Sequence, residues 1–208
     1  MSHADRRHPG LNLGNTDQSA HEAAEEEVFG FWVFLMSDLV LFALLFATYA
    51  AMTGSTAGGP APKDVFELKS VAIETAVLLT SSFSFGMASL AMKYQTNLRQ
   101  LVLWLLVTLA LGLAFLGLEL HDFFKMFSEG AFPSRSGFLS AFFALVPTHG
   151  LHVSFGIVWL LALLAQIKVH GLDRQVKLGI LRLGLFWHLL DVVWIGIFSV
   201  VYLQGLAS

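Results

Sequence analysis

Five runs of apolar residues, each long enough to cross a bilayer, dominate this chain of 208 residues. A transmembrane helix needs about 20 predominantly apolar residues, whereas the strands of a membrane barrel are alternating segments of about 10. The runs are long and continuous, so they favour helices over a barrel, the only other fold that crosses hydrocarbon. The sequence therefore predicts an all-α, polytopic membrane helix bundle with five transmembrane helices. The predicted spans are residues 29–52, 70–92, 98–120, 137–167 and 183–203.

Composition excludes several other classes of protein. Hydrophobic residues make up 56% of the chain and charged residues only 13%, whereas about 25% of a typical soluble domain is charged. The net charge is −3, and without a basic stripe nucleic acid is not an expected partner. The chain has no Cys, which excludes disulfides and thiolate metal sites.

The first 27 residues differ in character from the rest. They are polar and lack the apolar core of a secretory signal. We expect residues 1–27 to form a mostly disordered tail that becomes helical near the first span. Residues 28–208 are then a single five-helix transmembrane domain.

The distribution of Lys and Arg predicts the orientation in the membrane. With the N-terminus inside, eight of the 12 basic residues fall on the cytoplasmic side and four on the other. The eight are Arg6, Arg7, Lys93, Arg99, Lys168, Arg174, Lys177 and Arg182. The positive-inside rule therefore favours a cytoplasmic N-terminus and a periplasmic C-terminus.

Seven ionisable side chains interrupt the apolar spans and are the candidate functional residues. A charge at the bilayer centre costs about 2.5–3.5 kcal/mol on insertion scales, so such groups usually pair, face the bundle interior or line a proton or ligand path. No serine triad, phosphate loop or zincin motif accompanies them. The seven are Asp38, Glu74, Glu119, His149, His152, His188 and Asp191.

The histidines occur in two pairs with helical spacing. His149 and His152 are three residues apart in the fourth span, and His188 and Asp191 are three apart in the fifth, so each pair shares a helix face. Three imidazoles and a carboxylate are a possible metal site. The other interpretation, which we favour, is a hydrogen-bonded cluster that holds the fourth and fifth spans together. Haem fits poorly, because residues of one face cannot supply axial ligands from opposite sides.

The carboxylates of the first three spans have structural and proton-related interpretations. Asp38 and Glu74 can donate a hydrogen bond to a carbonyl or a lipid headgroup, or act in series in a proton path. Glu119, with His121 and Asp122, is predicted to form a solvated rim at the end of the third span, in contact with Lys125.

Three stretches carry a resemblance to a known family. They are FGFWVFLMSD at residues 29–38, THGLHV at residues 148–153 and WHLLDVVW at residues 187–194, of which the last two are the most specific. On these residues the chain resembles subunit III of the haem–copper oxidases. Linking segments resemble the cytochrome bo-type ubiquinol oxidase branch of that family, and the similarity extends over about residues 28–205.

The resemblance implies a supporting subunit of a respiratory complex in the bacterial inner membrane. Haems, copper and proton channels belong to subunit I in this family, so no catalytic, cofactor-binding or metal-binding residue is expected in this chain. The implied partners are subunit I above all, subunit II, a small subunit IV and phospholipid held in a cleft. The implied roles are to stabilise subunit I and to support proton uptake.

The resemblance also assigns counterparts to two of the candidate residues. Asp38 matches a family carboxylate, usually Glu, that reacts with dicyclohexylcarbodiimide, and Glu119 matches a Glu at the end of its helix. Five spans instead of seven resemble the quinol oxidase form. Alternatives within the family are subunit III of a cytochrome c or menaquinol oxidase, or an accessory protein of nitric oxide reductases. The alternative of another class is a stand-alone proton-coupled transporter.

Overall fold

The protein is described here from a computed structural model that covers residues 18–58, 67–94 and 97–207. In these ranges the chain forms helices and no strand, and five of the helices are long and apolar enough to span a membrane. The prediction of an all-α bundle with five spans is confirmed. The five are α1 (Gln18–Met52), α2 (Leu68–Lys93), α3 (Leu98–Ser128), α4 (Gly137–His170) and α5 (Arg174–Ile197).

Short elements complete the chain. A 3₁₀ turn, Pro133–Arg135, precedes α4. At the end of α5 the helix widens into a π-helical segment, Phe198–Leu203, before the last turn, α6 (Gln204–Ala207). Such π segments are rare and occur often at functional sites.

Several helices extend beyond the predicted spans. α1 begins at Gln18, and residues 1–17 of the predicted disordered tail lie outside the described residues. α3 continues to Ser128, although the sequence predicted its end near residue 120. α5 begins at Arg174, where the side chain of Asp173 accepts a 2.8 Å hydrogen bond from the amide of Val176. The predicted ends followed the charged residues, but a helix continues into water as long as its backbone bonds are satisfied.

The helices pack around buried aromatic side chains. Trp187 of α5 lies between Gly112 of α3 and Gly156 of α4: a Cβ atom at either glycine would lie 3.0 or 3.1 Å from the indole ring. Small residues allow this close approach, and van der Waals packing drives helix association where lipid removes the hydrophobic force. The two glycines therefore admit the indole that joins three helices.

Buried hydroxyl groups form hydrogen bonds between helices, several of them from α2. Ser84 Oγ lies 2.7 Å from Thr108 Oγ1 of α3, within a region where both side chains are buried. On the other side of α2, Trp194 Nε1 of α5 donates to Thr75 Oγ1 at 3.0 Å. Tyr49 of α1 donates from its hydroxyl to the carbonyl of Val201 in the π segment at 3.4 Å. Polar contacts between membrane helices average about 0.6 kcal/mol, so these bonds fix register more than they add stability.

Candidate functional site

The prediction of one hydrogen-bonded cluster of His149, His152, His188 and Asp191 is wrong. His149 is fully buried and neither ring nitrogen has a hydrogen-bond partner among the described residues. Its imidazole instead lies among aromatic rings, with its centroid 5.3 Å from Trp194, 6.0 Å from Phe115 and 6.3 Å from Phe42. Helical spacing put the four residues on common faces but could not show that α5 turns a tryptophan toward His149.

His188 and Asp191 form a separate group with α2. Ser82 Oγ lies 2.8 Å from His188 Nδ1, and Asp191 Oδ2 lies 3.5 Å from the same nitrogen. Asp191 is buried, whereas about half of the His188 side chain is exposed. This group joins the second and fifth spans, not the fourth and fifth.

The predicted metal alternative has no ligand set in the part of the chain that is described. No group of three or more His, Asp or Glu side chains there is placed to share an ion. The candidate residues are distributed over separate places in the bundle.

Asp38 and His152 lie at a groove between α1 and α4. The groove has a volume of about 570 Å³, and Asp38, which is half-buried, is the only carboxylate among the described residues that line it. His152 Nδ1 is 2.7 Å from the carbonyl of Thr148, one turn earlier in its own helix. The lining is mostly apolar and comprises Phe34, Asp38, Leu151, His152, Ser154, Phe155, Val158 and Phe186.

Glu119 does not form a solvated rim. Its side chain is 4% exposed, because α3 continues for two more turns and Glu119 faces α4 at Gly150. A Cβ atom at Gly150 would lie 2.8 and 2.9 Å from the two carboxyl oxygens of Glu119. Only glycine leaves room for the carboxyl at this point. Glu74 of α2 is also buried, at 2% exposed. Glu74 and Glu119 both line a small cavity between the start of α2 and the end of α3.

The outer residues of the predicted rim behave differently. His121 is exposed and its Nδ1 lies 3.3 Å from Asp122 Oδ1. Lys125, however, forms an ion pair with Glu67, which precedes α2. The predicted contact of Lys125 was with the rim residues Glu119, His121 and Asp122. The hydrogen bond from Lys125, and then its positive charge, lower the pKa of Glu67 below its usual value. The pair connects the start of α2 with the end of α3.

Comparison with known proteins agrees with the motifs. The sequence matches the family described as cytochrome c oxidase subunit III over residues 14–206, nearly the whole chain. The chain belongs to the cytochrome c oxidase subunit III family. The predicted resemblance to subunit III of the haem–copper oxidases is therefore confirmed.

Relatives in this family include proteins named as quinol oxidase subunits. The chain is 51% identical to a cytochrome bo(3) ubiquinol oxidase subunit 3 of Pseudomonas aeruginosa, over 93% of this chain and 92% of the relative. It is 44% identical to a quinol oxidase subunit 3 of Bacillus subtilis over 100% of both chains. A cytochrome bo(3) ubiquinol oxidase subunit 3 of Buchnera aphidicola is 42% identical over 87% of this chain and 93% of the relative.

For this subunit III chain, the sequence did not reveal several uncharged residues that contact buried polar side chains. Ser82 contacts His188, Thr75 accepts from Trp194, and Gly150 accommodates Glu119. One signal was available: the stretch TSSFS at residues 80–84 places hydroxyl groups inside an apolar span. Tyr202, which lines the cavity beside Glu74 and Glu119, had no such signal because a π segment carries it.

Proposed function

We propose that this chain is the non-catalytic subunit III of a proton-pumping ubiquinol oxidase, a complex that oxidises ubiquinol and reduces dioxygen to water. The observation that carries the proposal is the 51% identity to a ubiquinol oxidase subunit 3 across more than nine-tenths of both chains. The end-to-end match with a second quinol oxidase subunit 3 supports the same donor class. The electron donor is then a quinol, and haems and copper belong to subunit I.

The surface of the bundle supports a role in holding subunit I, together with subunit II and a small subunit IV. Large apolar side chains on the outside of α1 and α4 are more than half exposed in the described part of the chain. In a membrane such a face meets either lipid or another helix. These side chains include Phe29, Phe34, Val40, Leu44, Leu151, Phe155 and Val158.

The groove beside Asp38 is a suitable place for the proposed phospholipid. Its apolar walls and open side fit an acyl chain, and Asp38 and His152 are the polar groups that a headgroup or glycerol ester can contact. Several of its lining residues belong to the exposed apolar face of α1 and α4. A lipid there lies at the boundary where subunit I is proposed to dock.

The proposed location is the bacterial inner membrane, with the N-terminus cytoplasmic and the C-terminus periplasmic. The five antiparallel spans bring Lys93, Arg99, Lys168 and Arg174 to the end of the bundle near the start of α1. That end carries most of the Lys and Arg residues that the structure describes, which supports a cytoplasmic placement by the positive-inside rule.

Purification through a tag on this chain tests the proposal. In mild detergent from its native membrane, the tagged chain is expected to bring with it haem-containing subunits in constant ratio. Expressed without those partners, the same chain is expected to show no Soret band and no stoichiometric copper. One metal ion or haem per isolated chain, lost on His149→Ala, would contradict a subunit that lacks a redox centre.

A second test separates lipid binding from proton supply at Asp38. If Asp38 positions lipid and packing, Asp38→Asn in the assembled oxidase is expected to retain wild-type turnover at every pH and to lose copurified phospholipid. Ser37→Ala is the matched control, since within the described residues the Ser37 hydroxyl donates to the carbonyl of Phe34 in its own helix. A turnover curve of Asp38→Asn that falls away from wild type above neutral pH would instead assign Asp38 to proton uptake.

A further inference from the structure

A small cavity at one end of the bundle contains two buried carboxyl groups. The proposed role of this chain as subunit III does not use them. The cavity lies where α2 begins and α3 ends, and the π segment closes it with Tyr202. Glu74 and Glu119 are its innermost acidic side chains, at 2% and 4% exposed. Its volume is about 20 Å³, and a cavity of about 10–15 Å³ is enough for one water molecule.

One oxygen of each carboxyl group lacks a partner among the described residues. Oε1 of Glu74 and Oε1 of Glu119 are buried and have no hydrogen bond within the described residues. A buried polar atom without a partner costs about 1–3 kcal/mol, so such atoms are normally bonded to protein or ordered water. The cavity has room for one water molecule between polar walls, and a water there would satisfy these oxygens.

The charges around the cavity determine which form the two carboxyls take. Burying a charge without a partner is costly, and two like charges in one site cannot both persist. The single cationic side chain of the described lining is Lys125, which is engaged by the exposed carboxylate of Glu67 at the mouth. A proton on Glu74 or Glu119 lowers the charge of the pair from −2 to −1 and so removes the repulsion between two buried carboxylates.

The other titratable groups facing the site come from each element around it. Asp122 and Lys125 are on α3, Glu67 precedes α2, Glu129 follows α3, and Tyr202 is in the π segment. Tyr49 of α1 reaches the same π segment through the carbonyl of Val201. α4 contributes Phe142 to the lining and Gly150 beneath Glu119, neither of which titrates. Glu67 and Glu129, the exposed acidic groups of the lining, lie on the side of the cavity that faces solvent.

We propose that Glu74 and Glu119 form a proton-binding site that holds one water molecule and exchanges its proton with solvent between α2 and α3. Gly150 keeps the Glu119 carboxyl in place, since any side chain at residue 150 would occupy the position of its oxygens. The site lies at the end of the bundle opposite the basic end of the helices. No bond is made or broken in it except the O–H bond of the exchanged proton.

Infrared spectroscopy of the full-length protein, purified in the complex it forms, tests this site. The wild type is expected to show at neutral pH the carbonyl stretching band of a protonated carboxylic acid, and that band should shift in D₂O. The double variant Glu74→Gln with Glu119→Gln should remove it, and each single variant should reduce or shift it, because the band belongs to these two carboxyl groups. Glu129→Gln is the control, since Glu129 is exposed at the mouth, and should leave the band unchanged.

Two outcomes would overturn the proposal. A band identical in the wild type, both single variants and the double variant would place the protonated acid elsewhere. Ionised carboxylate bands that depend on Na⁺ or K⁺ would show a cation site in place of a proton site. Because glutamine has the shape of glutamate, all variants are expected to keep the wild-type melting temperature, and Glu74→Gln alone decides the question if Glu119→Gln does not assemble.

Discussion

Replacing Trp194 with alanine is expected to destabilise the bundle by about 3–5 kcal/mol, the range found for Trp or Phe to Ala in protein cores. The indole is fully buried and its centroid lies 4.7 Å from that of Phe115, in an edge-on arrangement. The change also removes the hydrogen bond from Nε1 to Thr75 and the contact between the indole and the His149 ring. The measurement is the melting temperature of the detergent-purified protein, followed by the fraction that stays monodisperse after heating.

Val192→Ala is the control for that variant. Val192 lies two residues earlier in α5 and is 65% exposed. Its truncation should change the free energy of unfolding by no more than about 0.5 kcal/mol, as for most surface changes, and leave the melting temperature close to that of the wild type. Equal melting temperatures for Trp194→Ala and Val192→Ala would show that α5 does not pack as described.

Gly150→Ala is expected to cost about 1–3 kcal/mol, the usual range for overpacking a tight core. The new methyl would lie 2.8–2.9 Å from both carboxyl oxygens of Glu119, closer than such atoms approach. Gly117→Ala on α3 is the matched control, since nothing lies within 4 Å of its Cβ position. Alanine is the better helix former, so Gly117→Ala should be neutral or slightly stabilising.

A double variant identifies the cause of the Gly150 effect. Glu119→Ala removes the group that the methyl meets, so Gly150→Ala should cost much less in that background than in the wild type. The two changes are then coupled, as expected for groups in contact. Additive losses in the double variant, or a Gly150→Ala protein as stable as Gly117→Ala, would contradict the placement of the Glu119 carboxyl on Gly150.

Apolar run length was enough to predict the number of membrane helices, because the thickness of the bilayer sets how many residues each must contain. Their ends were less predictable. The predicted spans left Lys125 and Arg174 outside, yet both lie in helices that continue beyond the apolar core. The same error made Glu119 a rim residue, because its burial depends on two further turns of α3 and on Gly150 of another helix.

Spacing along one helix predicted which candidate residues share a face, but not what the face meets. His188 and Asp191 do lie together, yet their neighbour is Ser82 of α2 and not the histidines of α4. The orientation of α5 about its axis is decided by the fit of Trp187 between Gly112 and Gly156. That fit is a property of three helices at once. The π segment that carries Tyr202 is likewise a tertiary feature without a local signal.

The central claim is that this chain is subunit III of a quinol oxidase, and its most direct test is the oxygen consumption of the complex purified through a tag on this chain. With ubiquinol as the donor, the complex is expected to consume dioxygen rapidly and to be inhibited by cyanide. With reduced cytochrome c as the only donor, consumption should stay at the background level. Consumption with cytochrome c and not with ubiquinol, or a preparation that contains no haem, would contradict the claim.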